Sequence, residues 1–355
     1  MADARELHDG REDGLVALES LDLDQVTSFS SLLRSMAKTA FSGRSLGEAF
    51  DVTAAMVKDP DCTVVLTLSG AMTIAKMGKV ISKMIDTGMV QAVVSTGALM
   101  AHGMSEAVGL THYRHDPRMS DEELFEKGYN RVYDTLEMES NLNHVEAFTS
   151  RALDRLSAEQ ELSSEIVSRT LGQVLAEDPG SSGVLRSAYL KGVPVYVPAF
   201  TDSELGLDLS TWAMKKAQAQ GVSDPLALLE HRPRFNPFLD LNSFARLALG
   251  AKRLGIFTIG GGVPRNWAQE VGPYVDVTNH RLGTKLTPPR YHYAVRICPE
   301  PGHWGGLSGC SYSEGVSWGK FVPPSEGGRF AEVYADATTV WPLLIKGVLE
   351  ELGLP

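Results

Sequence analysis

Apolar positions along the chain fall into two rhythms. Leu32, Leu33, Met36 and Ala37 recur at helical spacing, and a second helix is expected from about Leu46 to Val57. Cys62-Thr-Val-Val-Leu-Thr-Leu68 is instead a short continuous apolar run, the mark of a buried strand. It is followed by the small turn Ser69-Gly70-Ala71 and a helical stretch from about Thr73 to Thr87. Gln91-Ala-Val-Val-Ser-Thr96 repeats the strand and ends in the turn Thr96-Gly97-Ala98. Two strands with a helix between them form a βαβ unit, so they should lie parallel. Helices are expected over Glu122 to Met138, Asn143 to Leu156, Ser163 to Leu175, Gly183 to Leu190, Asn242 to Leu254 and Thr338 to Glu351. Further strands are expected at Val193 to Phe200, Gly255 to Ile259, Tyr274 to Thr278, His292 to Ile297 and Glu332 to Asp336. The pattern predicts an α/β fold: a single Rossmann-like domain over 24–355 with a mostly parallel sheet of about six or seven strands flanked by helices. An acidic arm over 1–23 precedes it.

Parallel strands bind ligands beyond their carboxyl ends, and small residues there let a ligand approach the backbone. The turns after Leu68 and Thr96 fit that description. So does Gly260-Gly261-Gly262, which follows a strand and precedes Pro264, expected to open the next helix. Strand, glycines and helix N-terminus together make a phosphate site. Asp202, directly after the strand ending at Phe200, is a candidate for a ribose hydroxyl or a substrate amine, and equally for a helix cap.

Three apparent motifs have plainer readings. Gly43-Arg-Ser45-Leu-Gly47 matches a nucleophile elbow, but a helix rather than a strand precedes it, so Ser45 with Glu48 reads as a capping box. His112 and His115 have no further ligand nearby in sequence and read as a structural or substrate-side loop, with no metal site expected. Gly315 to Phe321 is one residue short of a Walker loop and lacks its Ser/Thr.

Composition narrows the class. At 355 residues with 43% hydrophobic and 22% charged residues, the chain reads as soluble and globular. A net charge of −11 disfavours nucleic acid and anionic membrane as partners. Cys62, Cys298 and Cys310 form no CxxC pair, and no leader or apolar run long enough for a membrane helix is evident. A cytoplasmic location is expected.

The chemistry concentrates in Gly309-Cys-Ser-Tyr-Ser-Glu314-Gly-Val-Ser-Trp318-Gly-Lys320. A lysine packed beside an indole is costly to keep charged, so its free amine becomes available as a nucleophile. The alternative is a glycine-rich turn ending in a surface lysine.

Together these stretches resemble one family. Glu314-Gly-Val-Ser-Trp-Gly-Lys320, Val333-Tyr-Ala-Asp-Ala337, Gly260-Gly-Gly-Val263 and Pro198-Ala-Phe-Thr-Asp202 are similar, in order, to deoxyhypusine synthases, over roughly residues 45–352. The likeness is nearer to the bacterial deoxyhypusine synthase-like or homospermidine synthase-like branch. It implies a homotetramer with sites at a dimer interface and tightly held NAD. It also implies that an aminobutyl group passes from spermidine, through an imine on the active lysine, to an acceptor amine. By resemblance Lys320 is the nucleophile, Trp318 the indole beside the substrate, and Glu314 and Ser308 polar residues of the site. Ser69, Gly70, Thr96, Gly97, Asp202, Gly261, Gly262, Asp336 and Ala337 lie where the family cradles NAD.

The chain also departs from the family. Asn266 stands in place of a histidine base, and two amine-binding aspartates fall on Leu207 and Leu307, although Asp208 adjoins the first. A third acid falls on Trp304, a tyrosine on Arg296, another acid on His102, and an Asn-Thr pair on Cys298-Pro299. Each lost charged hydrogen bond should cost polyamine affinity ~1–3 kcal/mol. The expected function is therefore NAD-dependent aminoalkyl transfer on small amines or polyamines. Deoxyhypusine synthesis on a protein lysine, a catalytically altered NAD-binding homologue and a plain dehydrogenase are the alternatives.

Overall fold

The computed structural model describes residues 7–157 and 159–355. Among the described residues nine strands occur, in chain order β1 (Cys62–Leu68), β2 (Ala92–Ser95), β3 (Tyr113–Arg114), β4 (Tyr129–Val132), β5 (Thr135–Met138), β6 (Val195–Tyr196), β7 (Arg253–Ile259), β8 (Tyr291–Ile297) and β9 (Arg329–Val333). Six of them form one sheet in the order β6-β2-β1-β7-β8-β9, and every pairing in it is parallel. The chain therefore starts mid-sheet at β1, runs outward through β2 to β6, and returns to pair β7 on the other side of β1. This reversal is a topological switch point, and it opens a crevice between the carboxyl ends of β1 and β7.

The sheet is sealed on both faces, which is why β1 reads as a near-continuous apolar run. One face packs Val64, Leu66 and Leu68 with Phe50, Met56 and Trp341 from the flanking helices. The other packs Val65, Val94 and Ile256 with Phe244, Tyr291 and Phe321. The one polar pair within the central register is Thr67 opposite Thr258, whose buried hydroxyls hydrogen-bond at 2.8 Å.

Several elements differ from the pattern-based reading. The second helix begins at Phe41, and the Ser45 hydroxyl donates back to the Phe41 carbonyl at 3.4 Å instead of capping. Gly47 explains itself through packing: a Cβ there would lie 2.3 Å from the Ala37 amide nitrogen, so glycine lets two helices close on each other. The helix expected over 122–138 stops at Glu126, because Gly128 turns the chain at φ 67 and β4 and β5 form a hairpin. With β3, these strands make a separate three-stranded antiparallel sheet. The strand expected at Tyr274–Thr278 is part of the helix Val271–Leu282. Its alternation was misleading because Val271 and Val275, four apart, bury one helical face, and the Thr278 hydroxyl bonds back to the Tyr274 carbonyl at 2.7 Å. The helix after the triple glycine starts at Gly262, so Pro264 is its third residue. Of the acidic arm, residues 1–6 lie outside the described residues. The described part is exposed, and it is tethered where the Glu19 amide donates to the Lys38 carbonyl at 3.0 Å.

The small sheet is tied to the helix Gly97–Ala107 by buried charge. Glu137 of β5 accepts hydrogen bonds from His102 at 2.6 Å, Ser105 at 2.5 Å and His112 at 2.9 Å. His112 is thus structural. Burial alone would raise the Glu137 carboxyl, but these bonds outweigh it and hold it down at about 2. A carboxylate of the opposite kind sits on the helix Glu204–Ala219. Burial, with Glu146 and Glu204 nearby, pushes Asp208 up to about 7.

Two outcomes follow. Replacement of Glu137 by Gln should cost about 3–5 kcal/mol in denaturant unfolding, since it strands buried groups that the carboxylate pairs. The depressed carboxyl stabilises the fold above its unfolded value near 4.5 and loses that contribution as pH falls toward 2, a pH dependence the variant should lack. Asp208 has the reverse sign. Its folded form holds the proton more tightly than the unfolded chain, so stability declines as pH rises from 3.8 to about 7. Asp208→Asn should therefore raise the melting temperature at pH 8 and leave it unchanged below pH 4; equal shifts at both pH values would contradict this origin.

Candidate active site

Two groups of residues meet around the helix Gly262–Gln269, which leaves the carboxyl end of β7. The first group lies at the sheet edge. The Ser69 hydroxyl, just past β1, donates to the Ile259 carbonyl at 3.2 Å and accepts from the Gly261 amide at 3.0 Å, stitching the switch point shut from below. Thr96 caps the helix Gly97–Ala107 and donates to the Gly70 carbonyl at 3.0 Å. Gly97 has no room for a side chain, because a Cβ would come 2.1 Å from the Ser203 hydroxyl. Gly262 adopts φ 57, in the left-handed region. Asp202 sits exposed in the turn after β6, and Asp336 caps the last helix through the Thr338 amide at 2.8 Å, with Ala337 as its first residue. All nine residues predicted for the nucleotide therefore fall beyond the carboxyl ends of β1, β2, β6, β7 and β9.

The second group surrounds Lys320. The stretch with the alternative reading of a glycine-rich turn contains the helix Tyr312–Ser317, capped by the Ser311 hydroxyl on the Glu314 amide at 3.2 Å. The chain then turns at Gly319, φ 70, and bridges to Tyr291, which buries Lys320 to 7% exposure. Its Nζ donates to Asn266 Oδ1 at 3.0 Å and meets Glu270 Oε1 at 2.9 Å. The Trp318 ring centroid is 5.8 Å away, although the indole itself is largely exposed. A cleft of about 300 Å³ joins Lys320, Asn266, Glu270, Leu307, Glu314 and Trp318.

Glu270 was missed from sequence. The available signal was its position four residues after Asn266, which on a continuing helix stacks the two side chains on one face. The geometry also sorts the remaining expectations. Ser308 meets the glycine turn through its backbone, since a Cβ on Gly261 would lie 2.5 Å from Ser308 Cα. Arg296 is 1% exposed and sits under the loop. Its guanidinium donates to the carbonyls of Ser308 and Cys310, the latter at 3.0 Å, and faces Glu332 at 3.4 Å. It holds the loop in place. Trp304 points outward and does not line the cleft, whereas Leu307 does. Asp208 lies against Glu146, apart from the Lys320 cleft of the same chain.

Comparison with known proteins identifies the family. The deoxyhypusine synthase family profile matches residues 31–348. A Methanosarcina acetivorans protein named "Probable deoxyhypusine synthase 2" is 33% identical over 333 residues, covering 91% of this chain and 87% of its own. Its Archaeoglobus fulgidus namesake is 31% identical over 314 residues, covering 88% and 96%. A bacterial "Deoxyhypusine synthase-like protein" from Elusimicrobium minutum is 28% identical over 329 residues, covering 92% and 82%. A solved Entamoeba histolytica structure bearing the deoxyhypusine synthase name has the same fold, with a TM-score of 0.57 at 14% identity and coverage of 93% and 96%. On the family match and the length and level of these identities, the chain belongs to the deoxyhypusine synthase family.

Proposed function

We propose that the protein is an NAD-dependent aminoalkyl transferase that carries the transferred group on Lys320 and delivers it to a small amine, in the manner of homospermidine synthesis. The observation that carries this reading is the buried Lys320 amine, held between Asn266 and Glu270 at the wall of a small cleft.

The residues at the sheet edge suit NAD. The helix Gly262–Gln269 has no side-chain cap, so its first-turn amides and positive dipole end are free to meet a pyrophosphate at the switch point. Ser69, Gly70, Thr96, Gly97, Asp202, Gly261, Gly262, Asp336 and Ala337 would hold it. When bound, NAD would supply reversible hydride transfer at the carbon beside the donor nitrogen, with no net oxidation over the cycle.

The chain's own groups do the rest. Lys320 Nζ, relieved of a proton by Glu270, attacks the electrophilic donor carbon. The first amine leaves with a proton, and the remaining alkyl group is held as an imine on Lys320. An acceptor amine adds to the same carbon and Lys320 departs with its proton restored. Asn266 Oδ1 accepts from Nζ and fixes its direction. It replaces the histidine of the family, while Glu270 takes over the proton, since a base must lie within hydrogen-bond reach. Glu270 and Glu314 are the two carboxylates of the cleft and attract a cationic amine. Leu307 and the outward Trp304 stand where the family has acids, which disfavours a long polyamine with several charges and supports a shorter substrate.

Incubation with NAD and spermidine, putrescine or agmatine, followed by borohydride, should add to the intact mass a group that names the donor. Lys320→Ala should abolish the adduct. Glu270→Gln should slow adduct formation by roughly 10²–10⁴-fold, the usual contribution of a positioned base, without loss of NAD binding. Absence of any adduct with bound NAD would defeat the transferase reading.

A further inference from the structure

A cavity of about 590 Å³ lies apart from the Lys320 cleft. It lies between the helices Gly78–Asp86, Gly97–Ala107 and Val184–Lys191 and shares no lining residue with that cleft. Its charge opposes that of the chain. Against a net charge of −11, the cavity gathers Lys76, Lys79, Lys83 and Arg186 with only Asp86 and Glu106. Lys76 is spoken for, at 2.7 Å from Glu106 and 2.6 Å from His112 Nδ1. Lys79, Lys83 and Arg186 form no ion pair among the described residues. The two lysines stand one turn apart on the same face of their helix.

Across the cavity the helix Val184–Lys191 begins at Gly183, whose φ of 107 suits glycine and whose position offers no side-chain cap. The first-turn amides and the positive end of the helix dipole therefore face the cavity unspent. Unpartnered polar groups in the wall point the same way. Ser187 is 7% exposed and lines the cavity with its hydroxyl-bearing side chain. Arg186 Nε and Ser82 Oγ are buried and have no hydrogen-bond partner among the described residues. Buried donors are normally paired, so a cluster of orphans around a cationic cavity marks the place of an acceptor-rich ligand.

We propose that this cavity binds a small phosphate-bearing molecule. Arg186 and the first-turn amides of its helix grip the phosphate, Ser82 and Ser187 donate their hydroxyls, and Lys79 and Lys83 supply the facing charge. The site is separate from the proposed NAD edge and does not depend on the transferase reading.

Calorimetric titration of the full chain tests it, with inorganic phosphate in one arm and ribose 5-phosphate in the other, each with and without excess NAD. Saturable binding that NAD does not displace is expected. Tighter binding of the ester assigns an organic phosphate, and equal or tighter binding of the inorganic ion assigns free phosphate. Arg186→Gln and Lys83→Gln should each weaken binding about tenfold or more, the loss expected for one charge-assisted hydrogen bond. If Arg186→Gln fails to fold by circular dichroism, Lys83→Gln carries the test, since that residue is only half buried on a helix surface. No saturable heat in either arm, displacement by NAD, or unchanged affinity in Lys83→Gln would overturn the proposal.

Discussion

The arrangement depends first on the parallel register between β1 and β7. Seven consecutive residue pairs, from Cys62 opposite Arg253 to Leu68 opposite Ile259, bring the two strands to the same height. Their carboxyl ends therefore emit Ser69 and Gly261 side by side, close enough for a hydrogen bond. A slip of one residue would turn Thr67 and Thr258 away from each other and carry the buried apolar set to the wrong face. Because the strands come from distant parts of the chain, their pairing creates the switch-point crevice from two otherwise unrelated turns.

From that crevice the helix Gly262–Gln269 carries the geometry down to the reactive amine. Its N-terminus lies at the sheet edge, while Asn266 and Glu270 further along face Lys320. One rigid element thus spans both the proposed nucleotide edge and the proposed nucleophile. Arg296 adds a second constraint. Its guanidinium lies beneath the loop carrying Ser308 and Cys310, and fixes that loop over the glycine turn. A buried cation that donates to two backbone carbonyls and faces a neighbouring carboxylate is costly to remove, so Arg296 is a fixed support beneath this loop.

The buried charges elsewhere have a comparable logic. Glu137 gathers three donors and fastens the small antiparallel sheet to the helix Gly97–Ala107, whose N-terminus lies at the sheet edge. His102 takes part because its own charge answers that carboxylate: burial alone would lower the histidine, yet the Glu137 hydrogen bond and charge raise it. Where the family resemblance places an acid, this chain has a histidine committed to structure.

The sequence alone determined the βαβ rhythm, the boundaries of β1, the glycine turns and the lysine stretch, because each is written in contiguous residues with a local physical meaning. Ser69, Gly70, Thr96, Gly97, Gly261 and Gly262 could be placed beyond strand ends for the same reason. The antiparallel hairpin of β4 and β5 and the helical state of Tyr274–Thr278 were decided by tertiary structure. In the first case Glu137 must reach two histidines from another segment, and in the second Val271 and Val275 must face a core that local alternation does not reveal. Glu270 and the inward turn of Arg296 belong to the same class. A side chain's partner across 50 residues of chain, and whether it opens to a cleft or lies under a loop, depend on packing that no short stretch encodes.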